Sequence, residues 1–259
     1  MKIMKSCIVS AIALTAAVSA HAADAAKAKA NVSWVYTDVV APAEQQAYEN
    51  AIKSFNKCLG QHGLKFAWVA YTHETGDTYK YSYVAGPITW ADVDTMRASS
   101  KPCQDVWRAE GNAHLRSETS SFLIEDADMS HMAPKDKEPP ALISVVYFTV
   151  KNGRESDDAF TDGAKKITAA AEKAKWNGHY TLYRTKGADK DSPDYILVSP
   201  YKNFAAYGAG ADPTVWKMVE GVYGKQDADA LRKSFSDSLQ DSSSHVDAYS
   251  ADLTYMPAK

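Results

Sequence analysis

The sequence predicts an α+β protein made of two β-α-β-β-α-β halves packed sheet to sheet, and three observations carry that prediction. A strand running through a small residue and a proline into a helical pattern occurs twice, as Y-K-Y-S-Y-V-A-G-P-I-T-W from Tyr79 to Trp90 and as D-Y-I-L-V-S-P-Y-K-N-F from Asp194 to Phe204. An offset of 112 positions lays one part of the chain on the other, bringing Tyr36 onto Phe148, Tyr48 onto Phe160, Phe55 onto Ile167, Trp68 onto Tyr180 and Tyr71 onto Tyr183. Finally, the strands are apolar or aromatic on both faces: Trp34 and Tyr36 project one way, Val35, Thr37 and Val39 the other, so each sheet needs cover on both sides.

Each half opens on a β-branched and aromatic run, Val32 to Val39 and Ser144 to Val150. The first helix is expected from about Pro42, a residue suited to a first turn, to Gln61, with Tyr48, Ile52, Phe55 and Leu59 on one face. Its counterpart takes Ser156-Asp157-Asp158 as cap and acidic first turn, carries the stripe Phe160, Ala164, Ile167, Ala171 and Ala174, and stops at Asn177-Gly178. Two strands joined by a polar hairpin follow in each half, Phe66 to His73 with Tyr79 to Ala85, and His179 to Lys186 with Asp194 to Ser199. A proline then leads into a further helix holding a Val-Trp pair, Val106-Trp107 and Val215-Trp216, and the halves close on strands Thr119 to Glu125 and Val246 to Tyr255. Only the second half carries an added helical segment, Asp227 to Leu239, with Ala230, Leu231, Ser234, Phe235 and Leu239 toward the core; this asymmetry offers a surface for a partner.

The N-terminus has Lys2 and Lys5, an apolar run from Ile8 to Val18 and Ala20-His21-Ala22, the layout of a secretory signal peptide cleaved after Ala22. The organisation expected is therefore signal peptide 1–22, frayed tail 23–30, first half 31–126, a Pro-rich charged linker 127–140 and second half 141–259. The apolar run is shorter than the roughly 20 residues that span a bilayer, and no transmembrane segment is expected after cleavage. Removing Lys2 and Lys5 lowers the formal charge of −3 by two, to −5, which argues against a nucleic-acid partner. A secreted or periplasmic setting makes Cys58 and Cys103 a disulfide pair, closing a loop worth about 4 kcal/mol in the chain-entropy model. A free buried thiol pair is the rival reading, and a zinc site lacks ligands.

This order of elements is the ferredoxin-like unit, and its duplication resembles the dimeric α/β-barrel superfamily. That superfamily includes antibiotic-biosynthesis monooxygenases, chlorite-dismutase-like haem proteins and NIPSNAP-like proteins; here it would be fused head to tail in one chain. The resemblance rests on topology and duplication rather than on a motif, and implies a pseudo-dimeric barrel whose interior can host catalysis by dispersed residues.

Among residues that carry chemistry, the aromatics stand out, with 15 Tyr, 6 Trp and 7 Phe, many on strands. Tyr36, Tyr71, Tyr81 and Tyr183 are candidates to line a site for a small hydrophobic or aromatic ligand, unless they merely fill the space between the sheets. His73 ends a strand beside them and is the candidate base or haem ligand, against its reading as a solvated turn residue; His179 begins the matching strand. His73-Glu74-Thr75 fails as a zincin motif because Asp77 stands where the second histidine belongs, and Met129-Ser130-His131-Met132 offers soft ligands without a partner cluster. No metal or cofactor is expected, although haem or another flat ligand stays open, and no proximal histidine maps onto a haem motif. With no nucleophile elbow, phosphate loop or dinucleotide fingerprint, the sequence favours a non-enzymatic ligand-binding or assembly protein. The alternative is a small-molecule enzyme of monooxygenase type with its site inside the barrel, around Tyr71, His73, Tyr81 and Tyr183.

Overall fold

Eight antiparallel strands close into one barrel in the order β1-β3-β2-β8-β5-β7-β6-β4. The computed structural model describes residues 29–134 and 138–258; the signal segment expected at 1–22, most of the tail and positions 135–137 of the linker lie outside them. The first half comprises β1 (Val32–Val40), α1 (Gln45–Gln61), β2 (Trp68–His73), β3 (Lys80–Ile88), α2 (Trp90–Ser100), the short α3 (Gln104–Val106) and β4 (Leu115–Glu125). The second comprises β5 (Leu142–Val150), α4 (Arg154–Ala174), β6 (Thr181–Lys186), β7 (Tyr195–Tyr201), α5 (Phe204–Ala209), α6 (Val215–Tyr223), α7 (Lys225–Ser238) and β8 (Leu239–Tyr255). Among the described residues no helix is long and apolar enough to cross a membrane.

The halves meet edge to edge through the last strand of each. β4 pairs with β1 along its length and with β6 through Phe122 to Glu125, while β8 pairs with β5 through its first part and with β2 through its second. Serving two neighbours requires length, and both strands begin earlier than the sequence suggests, at Leu115 and Leu239 rather than Thr119 and Val246. The added stretch of β8, Gln240 to Ser244, is Q-D-S-S-S, whose residues favour turns; pairing with β5 overrides that preference.

Alternation along the strands separates an inner from an outer layer. Inside the barrel, Tyr71, Ile143 and Val145 pack with Val69, Val84, Tyr147, Ile196, Val198 and Tyr249, drawn from both halves. Outside, each half covers its strands with helices. α1 buries Tyr48, Ala51, Ile52, Cys58 and Leu59 against β1 and β3, and α2 starts from a capping box in which Thr89 accepts from the Asp92 amide and Asp92 accepts from that of Thr89. Helix α4 begins two residues before the expected cap, with Gly153 at φ 120° as its N-cap, and ends at Ala174 because Lys175 turns left-handed. That start frees Asp157 from capping to accept the Tyr195 hydroxyl at 2.5 Å.

The disulfide forms between Cys58 of α1 and Cys103 of the turn that joins α2 to α3, with Cα atoms 5.8 Å apart. The first part of the expected linker is packed: Met129 is 1 % exposed in the core beneath α4, and His131 bridges to Tyr180.

The segment that breaks the symmetry serves the core. Ala228, Leu231 and Phe235 of α7 face inward, whereas Ala230 and Ser234, expected to do so, are exposed. Phe235 lies 4.8 Å from Phe160 and 6.1 Å from Phe148, ring to ring, and a Cβ on Gly163 would meet it at 2.8 Å. Phe235→Ala is expected to lower stability by about 3 kcal/mol, read as a lower urea midpoint with unchanged slope.

Candidate functional site

Phe148 and Phe160 correspond to Tyr36 and Tyr48, yet no helix equivalent to α7 follows in the first half, and there the space taken by Phe235 is open. A cavity of about 830 Å³ lies between the outer face of the first-half strands and the helices α1 to α3. Three cross-strand pairs between β1 and β4 build its floor: Trp34 with Phe122, Tyr36 with Ser120 and Asp38 with Glu118. Directly paired residues share a face, so these six side chains point together toward the helices. Trp68 of β2 and Tyr83 of β3 extend the floor.

The aromatic walls are continuous. Trp34 sits 5.6 Å from Trp68, 5.6 Å from Phe122 and 5.3 Å from Tyr36, and its indole donates to the Ser120 hydroxyl at 3.1 Å. Opposite, Phe55 of α1 packs on Trp107, whose ring folds back over a widened π-type turn, Trp107–Gly111. A Cβ at Gly111 would lie 2.2 Å from that ring, so glycine is what lets Trp107 take this position. Exposed Arg97 and Lys101 rim the mouth.

At the floor sits one buried carboxylate. Asp38 is 2 % exposed; its Oδ2 accepts from the Tyr48 hydroxyl at 2.6 Å, while its Oδ1 has no hydrogen-bond partner. Burial raises its pKa to about 7, the Tyr48 hydrogen bond opposes the rise, and Glu118 adds to it. The Tyr48 hydroxyl also shares a hydrogen bond with that of Tyr83 at 2.9 Å, and since Tyr48 gives its one proton to Asp38, Tyr83 supplies the proton of this second bond. Burial holds both tyrosines well above their ordinary value, so both keep their protons. Glu118, exposed at the edge of the cleft, is raised as well by partial desolvation, with Asp38 opposing the rise. A carboxyl poised near neutrality at the base of an aromatic cleft can take a proton from a weakly acidic ligand.

The residues singled out from sequence divide between two places. Tyr71, His73 and Tyr183 point into the barrel, whereas Tyr36 and Tyr81 face the helices, so the group Tyr71, His73, Tyr81 and Tyr183 is not one site. Strand parity is the reason: Tyr81 shares its side with Tyr83, and Tyr71 pairs with Ser82 on the other. Tyr36 lines the cavity, and burial raises its hydroxyl. Tyr81 donates to Glu49 at 3.0 Å and accepts from Gln45 at 3.1 Å, with its pKa pushed by burial to about 12. Tyr183 is likewise raised to about 12 by burial. Tyr71 and Tyr183 are not repeat equivalents either. Tyr83 and Tyr195 correspond, and they pair with Ala70 and Arg184, so Tyr183 matches Val69. His73 is a buried residue, 7 % exposed, rather than a solvated turn, and burial lowers its pKa to about 4. Met129 and Met132 diverge, one buried and one exposed, while the His131 ring stacks on His179 and donates from Nδ1 to the Gly178 carbonyl at 2.7 Å.

Asp38 escaped the sequence reading although a signal for it exists. It continues the face of Trp34 and Tyr36, where a charge interrupts a buried stripe. Its partner Glu118 lies in a part of β4 that the sequence does not mark as strand.

No protein-family model and no curated protein matches the sequence. Solved structures match the fold across most of both chains. A "putative monooxygenase" of Lactobacillus acidophilus NCFM has a TM-score of 0.51 at 9 % identity, covering 88 % of this chain and 97 % of its own. An anthrone oxidase-like protein has a TM-score of 0.54 at 10 % identity, covering 89 % and 95 %. A mutant chlorite dismutase of Candidatus Nitrospira defluvii has a TM-score of 0.52 at 10 % identity, covering 86 % and 92 %. The chain has the dimeric α/β-barrel fold, with both halves in one polypeptide. These likenesses correct the expectation of a non-enzymatic binding or assembly protein, because the neighbours are described as oxidising enzymes or chlorite dismutases.

Haem does not fit the cavity. Its lining holds no His, Met or Cys to serve as axial ligand, and the one ligand type present, tyrosine, is held away from the phenolate that iron takes, since burial raises both Tyr36 and Tyr83.

Proposed function

We propose that this protein is an enzyme of monooxygenase type that oxidises a flat, hydrophobic, weakly acidic small molecule in the first-half cleft. The observation that carries the reading is Asp38, buried at the cleft on the same strand face as Trp34 and Tyr36, with a pKa raised to about 7 and one unpartnered oxygen. Trp34, Tyr36, Trp68 and Phe122 would hold a fused-ring ligand by stacking, with Phe55 and Trp107 closing from the helix side. Asp38 would remove a proton from an activated C–H, as in an anthrone, leaving an electron-rich carbanion that reacts with dioxygen. One oxygen atom becomes the new carbonyl and the other leaves as water, so anthrone and dioxygen give anthraquinone and water with no further reductant. Arg97 at the mouth favours the anionic form of the substrate.

Anthrone offered under nitrogen is expected to quench the fluorescence of the cleft tryptophans saturably, and admitting air to consume one dioxygen per molecule converted. Absence of quenching, or oxygen uptake no faster than in buffer, would remove the proposal. We place the enzyme in the periplasm or outside the cell. The signal-like segment ending at Ala22 and the Cys58–Cys103 bridge support that location. N-terminal sequencing of the protein from culture is expected to begin at Ala23.

A further inference from the structure

At one end of the barrel interior, on the side of the strands away from the cleft, His73, His245 and Asp247 converge. They come from the seam between the halves, where His73 at the end of β2 pairs with Asp247 of β8, and His245 precedes it by two on the same face. All three are more than nine-tenths buried, with exposures of 7, 9 and 1 %. The imidazoles stack at 4.2 Å with planes 11° apart, and both Nε2 atoms approach the same carboxylate oxygen, Asp247 Oδ1, at 3.7 Å for His73 and 3.2 Å for His245. Despite this proximity Oδ1 has no hydrogen-bond partner, and no Lys or Arg forms an ion pair with Asp247 among the described residues.

We propose that these three residues bind a divalent transition-metal ion, zinc being the simplest probe. Two imidazoles and one carboxylate form a donor set used for such ions, with room left for water or an exogenous ligand. The spacing suits it. Ligand atoms about 2.0–2.1 Å from a tetrahedral ion lie about 3.3 Å from one another, and the observed separations of 3.2 and 3.7 Å bracket that value. An ion there supplies the positive partner that the orphaned carboxylate oxygen lacks; a buried carboxylate facing two imidazoles and no cation is otherwise an expensive arrangement. The Ser82 hydroxyl, 3.2 Å from His73 Nε2, stands beside the site, and the Tyr147 ring packs 5.2 Å from that of His245.

The β2–β3 hairpin closes the site from solvent. Glu74 and Thr75 donate their amides to the Val246 carbonyl, the Val246 amide donates to the Thr75 hydroxyl, and a Cβ on Gly76 would lie 3.7 Å from the His245 Cβ. A single turn therefore holds the middle of the His245-Val246-Asp247 run. Because the metal would tie β2 of one half to β8 of the other, its binding is expected to brace the seam.

The test uses the untagged mature chain, stripped with a chelator and titrated calorimetrically with zinc chloride alone. One equivalent is expected to bind, with a rise in melting temperature that grows with zinc concentration. His245→Gln and Asp247→Asn are expected to lose both signals, while His62→Ala, beside the disulfide, keeps them. Absence of stoichiometric binding by the folded parent chain would overturn the proposal whatever the variants do. So would binding that survives in His245→Gln, since the ion would then lie elsewhere. Circular dichroism of each stripped variant distinguishes loss of ligand from loss of fold.

Discussion

Asp38→Asn is expected to lower turnover of the bound substrate by about 10²–10⁴-fold, the range for loss of a general base, while leaving tryptophan quenching by that substrate nearly unchanged. Asparagine keeps the shape and can still accept from Tyr48, so binding by the aromatic walls survives and the loss falls on kcat. The same variant is expected to be more stable than the parent at alkaline pH. Folded Asp38 holds its proton up to about pH 7, whereas an unfolded aspartate releases it near 3.9. Between these values the folded state binds the extra proton, so the contribution of Asp38 to stability is greatest below about pH 4 and falls as pH rises through 7. Three units correspond to about 4 kcal/mol as an upper figure. Urea midpoints of parent and variant are therefore expected to diverge from pH 4 to pH 8, the variant pulling ahead. Parallel pH profiles would mean that Asp38 does not carry this proton.

The double substitution Cys58→Ala with Cys103→Ala is expected to cost about 4 kcal/mol in the chain-entropy model for a loop of this length, a fall in Tm of roughly 10 °C for a domain of this size. Affinity is expected to fall with it. Cys103 sits between Ser100, Lys101 and Gln104, all lining the cleft, and the bridge anchors that segment to α1, whose Ile52, Phe55 and Asn56 line it too. Without the bridge the wall opposite the strands loses its covalent tie, and ordering it consumes binding energy. Substrate titration below the new melting temperature separates the two effects; unchanged affinity would show that packing of Trp107 suffices.

Much of the architecture is legible in the chain because local periodicity and duplication agree. The stripe Tyr48, Ile52, Phe55 and Leu59 reads as one helical face, and the alternation of Trp34 and Tyr36 against Val35 and Thr37 reads as a two-sided strand. Barrel closure is less legible, because β4 and β8 each serve two neighbours and the serine-rich first part of β8, which pairs with β5, carries little strand preference. Sites are harder still. Alternation tells that Tyr81 and Tyr71 lie on definite faces without telling which face meets helices, so the sequence groups two side chains that point apart. Asp38 announces itself only as a charge on an apolar face, and its pKa depends on burial that only the packing of α1 on the sheet creates. His73 and Asp247 are direct neighbours in space yet belong to opposite ends of the chain, beyond the reach of any spacing rule.

Writing both halves of the barrel into a single polypeptide has a further consequence. In an assembly of two identical subunits every substitution appears twice, so a ring that plugs one hollow plugs its twin, and a carboxyl that weakens one subunit weakens both. Here Phe235 stoppers the C-terminal hollow and Asp38 furnishes the N-terminal one. One side can act as ballast while the other drifts toward new reactivity, a division of labour closed to a symmetric pair.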